Sequence, residues 1–480
     1  MHKNVIRIAV RHNTYDINKP WLKVNTVGGS GTGFVFRAGD EKIIVTNYHV
    51  ISTAFEIFTL VPEKYKLQIV AIYMEFDLAF LKIHPDDEPR SAQFFKERNA
   101  IEMGEIPEKG EKINIIGYPS PGISQDQTIT SGTVSRIFMV RHFKHMSCAF
   151  YQTDATINSG NSGGPAVNKS GKLVGIATIS MISLSNTNGL ITNFLLARAI
   201  KLYENKQHSC IIGSPGFSLA SIVGTDFFKM NNINPISGGM VCDNETEQLQ
   251  RRDYVFEIDG FPLVRNFYIN GSLIAKRLGF EPRGLLAENS QDFLVYSIYF
   301  SILDETDKVN VKIYRSGVAK SIVINPKKIC ISNVFHIKTP GYVIIGYFTI
   351  RVLNDDFFKS ESDVPKEVMQ IYETYNFYRT KKHILYISDV ASEYDTGYKY
   401  YILTKYNDSE VSSLEELIYK YKQSVEKSEN VEINLKRPGF TCELFVYFSA
   451  ETIKNTKKII KHDHDIDVPE FRENAYIFNY

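Results

Sequence analysis

Short apolar runs separated by turn residues fill the first 200 residues, and this rhythm limits the folds open to the chain. Runs recur at Val5–Val10, Phe34–Phe36, Ile43–Thr46, Phe55–Leu60, Leu67–Tyr73, Leu78–Ile83, Ile113–Ile116, Gln127–Ile137, Phe150–Thr153 and Leu173–Ile179, with Gly, Pro, Asn and Asp between them. Branched and aromatic side chains suit a pleated surface, so each run reads as a strand. Many short strands without a long helical period predict an antiparallel sandwich or barrel. Asn193–Asn205 has helical spacing, and the turn-rich Ser209–Gly216 then marks an expected domain boundary.

Beyond that joint the rhythm changes. Val255–Ile258 runs into a turn at Asp259–Gly260, and Phe293–Leu303 is a longer apolar stretch. Val309–Tyr314 and Ala319–Ile324 flank Arg315–Gly317 as a β-hairpin. A similar order returns later, with strands at Ile384–Ile387, Tyr401–Thr404 and Val431–Leu435 and a turn at Arg437–Gly439. Ser412–Lys427 predicts a helix capped by Ser412 or Ser413, with acids in its first turn, and Val364–Tyr378 predicts another. Two mixed α/β modules are therefore expected after a β-rich domain. Dividing 480 residues by roughly 150 per domain agrees with three domains.

Composition excludes several classes. With 55 basic and 54 acidic residues the net charge is +1, unlike the clustered basic excess of a general nucleic-acid binder. A chain that is 43% hydrophobic and 12% aromatic builds cores, so global disorder is excluded. The five cysteines, Cys148, Cys210, Cys242, Cys330 and Cys442, are odd in number and scattered, which fits a reducing, intracellular compartment rather than a disulfide framework. No segment has the ~18 consecutive apolar residues of a membrane span, and the N-terminus lacks the apolar core and cleavage site of a signal peptide. No membrane or nucleic-acid partner is expected.

Three motifs carry chemistry. TNYHV (46–50) places His49 after a β-branched strand, EFDLAFLKI (75–83) places Asp77 before an apolar one, and GNSGGP (160–165) sets Ser162 among glycines. Asp77 follows His49 by 28 residues, and Ser162 follows Asp77 by 85. A serine hydroxyl needs a base to take its proton, and an imidazole needs a carboxylate to fix its tautomer. Backbone N–H groups of Gly160 and Ser162, with Asn161 as a possible third donor, would stabilise a developing oxyanion. Taken singly, each motif has a plainer reading: a structural His, an Asp turn cap, or a tight turn. A phosphate loop is disfavoured because no Lys-Ser/Thr ending follows the glycines. The conjunction in fixed order is specific.

GSGTGFVF (29–36), TNYHV, FDLAFLKI, INIIGYP (113–119), SGTVSRI (131–137) and YQTDATINSGNSGGPAVNKSGKLVGIATIS (151–180) resemble the trypsin-like Deg/HtrA serine proteases. The resemblance covers most of the first 200 residues. It implies a mainly β architecture: a chymotrypsin-like double β-barrel protease domain followed by two PDZ-like α/β modules. It carries the catalytic roles onto His49, Asp77 and Ser162, and substrate pairing onto Ala177, Thr178, Ile179 and Ser180. Ser159 departs from the Pro or Arg of many members. Phe138–Ala149, with His142 and His145, becomes a sensor-loop candidate or a plain solvated hairpin.

FSLASI (217–222), DYVFEIDGFPL (253–263) and VNVKIYRSGVAKSIVINP (309–326) resemble a first PDZ domain, with a carboxylate loop at Phe217, Ser218, Leu219 and Ala220. HILYISDV (383–390), YNDSEVSSLEELIYKY (406–421) and VEINLKRPG (431–439) resemble a second, whose loop near Gly346–Phe348 departs from the glycine-rich pattern. The order, together with GYVIIGYFTI (341–350) and DVASEYDTGYKY (389–400), looks most like the intracellular plant-type subgroup. The expected domains are 1–208, 209–330 and 331–480.

The resemblance implies an ATP-independent serine endopeptidase for unfolded protein, assembled as trimers or their multiples, with C-terminal peptides as further ligands and no cofactor or metal. The competing class is a peptide-binding chaperone or scaffold with a resting site. His462–Asp465 (HDHD) is a metal-chelating pattern without a second ligand cluster, and reads as a solvated tail. Trp21 is either a trimer-interface anchor or a buried aromatic. Cys148 competes poorly as nucleophile, because Ser162 already occupies the glycine-rich turn.

Overall fold

A computed structural model describes the chain apart from residues 1, 16–19, 21–22, 53, 62–63, 120–125, 144–145, 181–187, 209–210, 245, 266, 331–340, 354–363, 375–382, 392–395 and 456–480. Two compact units emerge. Met1–Arg11, Gly28–Ser52 and Glu56–Val334 form one, and His12–Val27, Thr53–Phe55 and Phe335–Tyr480 form the other. Trp21 and His462–Asp465 lie outside the described residues.

The fold is mainly β. Six strands, β1 (Val5–Tyr15), β2 (Lys23–Ala38), β3 (Glu41–Asn47), β4 (Ala54–Val61), β5 (Leu67–Tyr73) and β6 (Leu78–Ile83), form a sheet in the order β4-β1-β2-β3-β6-β5. An isolated bridge between Phe58 and Lys66 draws its two end strands together. Gly39, at φ +57°, turns β2 into β3, and the pairs Phe34–Val45 and Phe36–Ile43 follow from that register. Phe34, Val35, Ile43, Ile44 and Val45 are all fully buried, so both faces of these strands are covered. β3 runs into the one-turn helix α1 (Tyr48–Ile51).

A closed barrel follows. It comprises β7 (Lys112–Gly117), β8 (Thr128–Phe143), β9 (Met146–Thr153), β10 (Pro165–Val167), β11 (Leu173–Ser180) and β12 (Asn188–Thr192), ordered β10-β11-β12-β9-β8-β7. Closure removes both sheet edges. The helix read at Asn193–Asn205 is present over Asn193–Glu204; α2 (Glu88–Lys96) precedes it, so this one is α3.

The remainder of the first unit holds β13 (Ile211–Ser214), β14 (Phe217–Ala220), β15 (Gly239–Asn244), β16 (Tyr254–Ile258), β17 (Phe261–Pro262), β18 (Tyr268–Asn270), β19 (Phe293–Val295), β20 (Val309–Arg315), β21 (Val318–Ile324) and β22 (Lys327–Cys330). The main path is β14-β15-β16-β20-β21, so β14 is an edge strand. The hairpin expected around Arg315–Gly317 joins β20 to β21. The apolar stretch Phe293–Leu303 is divided: β19 ends at Val295, and a helix runs over Tyr296–Ser301. With α4 (Asp226–Met230) and α5 (Ser272–Leu278) before it, that helix is α6. This part is fastened to α3 by the fully buried Arg198, which donates to Asp304 Oδ1 at 2.7 Å and to the Leu303 carbonyl at 3.3 Å. Leu285 N–H also donates to the Pro107 carbonyl at 3.0 Å.

The second unit is a sheet ordered β23-β24-β25-β26-β28-β29. Its strands are β23 (Tyr342–Ile345), β24 (Phe348–Val352), β25 (Leu385–Val390), β26 (Ile402–Tyr406), β28 (Val431–Lys436) and β29 (Glu443–Phe448), with β27 (Ser409–Glu410) on β26. The helix read at Val364–Tyr378 is described as α7 (Lys366–Thr374). That read at Ser412–Lys427 is α8 (Leu414–Lys427), and Ser413 is its N-cap, accepting from Glu416 N–H at 3.1 Å. Ser412 contributes too, donating its N–H to the Glu416 carboxylate at 2.8 Å. Partial burial opposes that charge, but Lys420 and Ser412 hold Glu416 down to about 2. β23 pairs with β24 and its residues Val343 and Ile345 share one core with Leu414, Leu417 and Ile418 of α8.

Candidate active site

β3 and β6 carry the base side. Asn47 and Leu78 pair at the ends of these strands, which brings α1 beside the turn at Asp77. Asp77 has φ +54°, a left-handed conformation that Asp tolerates better than most residues, and it is buried. Its backbone carbonyl accepts from Tyr48 N–H at 3.0 Å and from Asn47 Nδ2 at 3.1 Å. Its carboxylate accepts three hydrogen bonds: His49 N–H to Oδ1 at 2.9 Å, His49 Nδ1–H to Oδ2 at 2.8 Å, and Thr178 Oγ1–H to Oδ2 at 2.5 Å. The carboxylate therefore fixes the His49 ring and the tautomer that leaves Nε2 as the basic nitrogen. Partial desolvation disfavours the imidazolium, although the His49 side chain keeps 46% of its surface exposed, and the Asp77 charge and hydrogen bond prevail and raise its pKa from the ordinary value.

The serine side lies in the turn between β9 and β10. Gly160 (φ +94°) and Gly163 (φ +85°) adopt left-handed conformations on either side of Ser162. At Gly163 a Cβ would stand 2.1 Å from the Thr32 carbonyl oxygen and 2.5 Å from Thr46 Oγ1, so only glycine lets this turn pack against β2 and β3. Ser162 Oγ–H donates to the Thr178 carbonyl at 3.4 Å, and makes no hydrogen bond to His49. Among the described residues, the N–H groups of Gly160 and Ser162 meet no acceptor. Asn161 differs: its N–H donates to the Asn158 carbonyl at 3.0 Å, so it is not presented with the other two.

The family resemblance carries substrate pairing onto Ala177–Ser180. Ala177 commits its N–H to the Gly164 carbonyl at 2.9 Å and its carbonyl to Gly163 N–H at 2.8 Å. Thr178 serves both sides of the site, its hydroxyl on Asp77 and its carbonyl on Ser162, a role that the motif did not signal. Ile179 and Ser180 pair in register with Gly189 and Asn188 of β12. The Phe138–Ala149 segment forms the facing ends of β8 and β9, with Val140 opposite Cys148; His145 lies outside the described residues. Burial pushes the Cys148 thiol far up, and the Asp77 and Glu75 charges add to this, so it stays protonated.

The carboxylate-loop candidates Phe217, Ser218, Leu219 and Ala220 constitute β14, paired to β15. The Phe217 carbonyl already accepts from Tyr296 Oη–H of α6 at 3.0 Å, and the two rings stack at 5.4 Å. Gly346 (φ +62°) and Tyr347 form the two-residue turn between β23 and β24, so Phe348 begins a strand that has neighbours on both sides. Among the described residues no group of three His, Cys, Asp or Glu side chains is placed to hold a metal ion, and no helix is long and apolar enough to cross a membrane.

Residues 31–176 match the family model of the trypsin-like peptidase domain. Protease Do-like 4, mitochondrial, of Arabidopsis thaliana is 32% identical over 275 residues, which is 53% of this chain and 49% of that one. Serine protease HTRA3 of Homo sapiens is 26% identical over 317 residues, 60% of this chain and 65% of that one. The chain thus spans about half to two thirds of these relatives' lengths. Among solved structures, the HtrA-type protease AlgW with a tripeptide aligns with a TM-score of 0.47 and 20% identity, over 68% of this chain and 94% of that chain.

Proposed function

This chain carries a trypsin-like peptidase domain and is a relative of the Deg/HtrA proteases, and from that premise we propose that it is an ATP-independent serine endopeptidase acting on unfolded polypeptide. The single observation that carries the proposal is the hydrogen-bonded His49–Asp77–Thr178 array beside a Ser162 turn with two amides unused.

In the proposed reaction, Ser162 Oγ rotates from the Thr178 carbonyl toward His49 and attacks the scissile carbonyl carbon while His49 Nε2 takes its proton. The carbonyl oxygen becomes an oxyanion held by the N–H groups of Gly160 and Ser162. The C–N bond then breaks, and His49 returns the proton to the leaving amine. Water, deprotonated by His49, cleaves the resulting ester and restores the hydroxyl. Asp77 remains ionised throughout and stabilises the imidazolium.

The domain division that fits this reading is 1–208 protease, 209–330 and 331–480 PDZ-like. The first PDZ-like module would take an extended C-terminal peptide on the open side of β14, a β-augmentation mode. The last would not, because β23 already lies along β24, which leaves packing or assembly as its role. Trimers or their multiples within a reducing compartment complete the proposal; the described thiols Cys148, Cys242 and Cys442 are all unpaired, in keeping with that setting. Casein cleavage by Ser162→Ala tests the assignment: the variant should fold and assemble but cut nothing, and retained cleavage would sink it.

A further inference from the structure

The two residues with unused amides share one partner. Thr32 Oγ1–H donates to the Gly160 carbonyl at 2.7 Å, and Thr32 N–H donates to the Ser162 carbonyl at 2.8 Å. We infer that Thr32 is a positioning residue that holds the Gly160 and Ser162 amides ready for the oxyanion, an inference that rests on the protease reading of the site.

Gly160 has no side chain to restrict it, so its peptide units swing at little cost unless tied down. The bonds from Thr32 hold the peptide units that follow Gly160 and Ser162, which anchors the Cα atoms of the turn and limits how far the preceding N–H groups can swing; those N–H groups meet no acceptor among the described residues. Preorganised donors are effective because they need no reorientation as charge develops.

Thr32 is itself held firmly. It is fully buried in β2, and its Oγ1 accepts from Tyr118 N–H at 3.0 Å while donating to Gly160. Its carbonyl accepts from Thr46 Oγ1–H at 2.7 Å. Thr46 lies in β3, three residues before His49, so the base side and the oxyanion turn are referenced to one residue. A hydroxyl is required at position 32, because this atom must donate and accept at once. Valine has the same shape but leaves the Gly160 carbonyl and the Tyr118 amide without their bonds.

The test uses the full chain and a fluorophosphonate probe, whose phosphoryl oxygen occupies the same donors when Ser162 is modified. Thr32→Val should label about ten- to a hundredfold more slowly than wild type, somewhat less than the loss of a direct oxyanion donor. On a peptide ester its kcat should fall with KM little changed, and Thr32→Ser should restore both rates. Thr32→Cys, a weaker donor, should fall between Ser and Val, so the series remains readable if the Val variant folds poorly. Equal labelling of Thr32→Val and wild type overturns the role of Thr32 alone, as does a Ser variant as slow as Val. A wild-type chain that takes no probe overturns the protease reading and this inference with it.

Discussion

The base side and the serine side of the site are held in different ways. On the base side, Asp77 accepts three hydrogen bonds through its carboxylate and two through its backbone carbonyl, and its orientation is fixed before any substrate arrives. On the serine side, the Ser162 hydroxyl points to the Thr178 carbonyl, and the neighbouring amides of Gly160 and Ser162 face no acceptor. A buried carboxylate without partners would be costly, so the base side has to be complete in the resting chain. The serine side presents neutral groups, on a buried Gly160 and a half-buried Ser162, whose unpaired state costs less than an unpaired charge. In the proposed reaction, rotation of the Ser162 hydroxyl from the Thr178 carbonyl toward His49 separates resting from reactive geometry.

The largest test of this contrast removes the nucleophile. Ser162→Ala should lower casein cleavage by roughly 10⁴-fold or more, since triad residues act as a unit. Asp77→Asn comes next. The amide cannot stabilise the imidazolium and favours the wrong tautomer, so kcat should drop about 10⁴-fold, as measured for the equivalent change in another serine protease. A loss of tenfold or less would mean that the base side is not the prebuilt half.

Gly163→Ala probes the seam between the sides. Its methyl group would meet the Thr32 carbonyl at 2.1 Å in a left-handed backbone conformation. Thermal or urea unfolding should show a loss of about 3 kcal/mol, from overpacking together with backbone strain. Thr178→Val removes only the hydroxyl on Asp77 and keeps the carbonyl that faces Ser162. Activity should fall about tenfold, in line with loss of one charge-assisted hydrogen bond. Because a donor that drew on the Asp77 charge is gone, His49 should titrate at higher pH than in wild type.

The smallest effect is the pH profile. As the proposed base, His49 would act only when neutral, and its pKa is raised, so kcat/KM should decline as pH falls through a midpoint above 6.5. The stability linked to His49 runs the other way. A raised folded-state pKa contributes stability below the unfolded value, and this is lost as pH rises through the folded one. An acid limb centred below 6.5 would show that Asp77 does not govern His49.

Much of the site was legible in the sequence because its motifs encode local backbone demands. The glycines of GNSGGP mark positions of positive φ at Gly160 and Gly163, and the β-branched run before His49 marks β3. Thr32 and Thr178 were not legible as partners of the site. Their hydroxyls act across 128 and 101 residues of sequence, on Gly160 and Asp77, and no local pattern announces such pairing. The modules illustrate the same limit. The Ser413 cap and the Arg315–Gly317 hairpin are local and were read directly. Tyr296 on the Phe217 carbonyl and β23 along β24 are products of tertiary packing, and the apolar stretch Phe293–Leu303 gave no sign that it divides at Val295 into strand and helix.

The central claim is that Ser162 forms an ester with the acyl part of its substrate. Intact-protein and peptide mass spectra, taken after acid quench during turnover of an activated acetyl ester, test this most directly. One acetyl group should appear on the peptide containing Ser162 in the wild-type chain, should clear at neutral pH, and should be absent from Ser162→Ala. A chain that cleaves casein with no acyl group on Ser162, or with the group on another residue, would contradict the account.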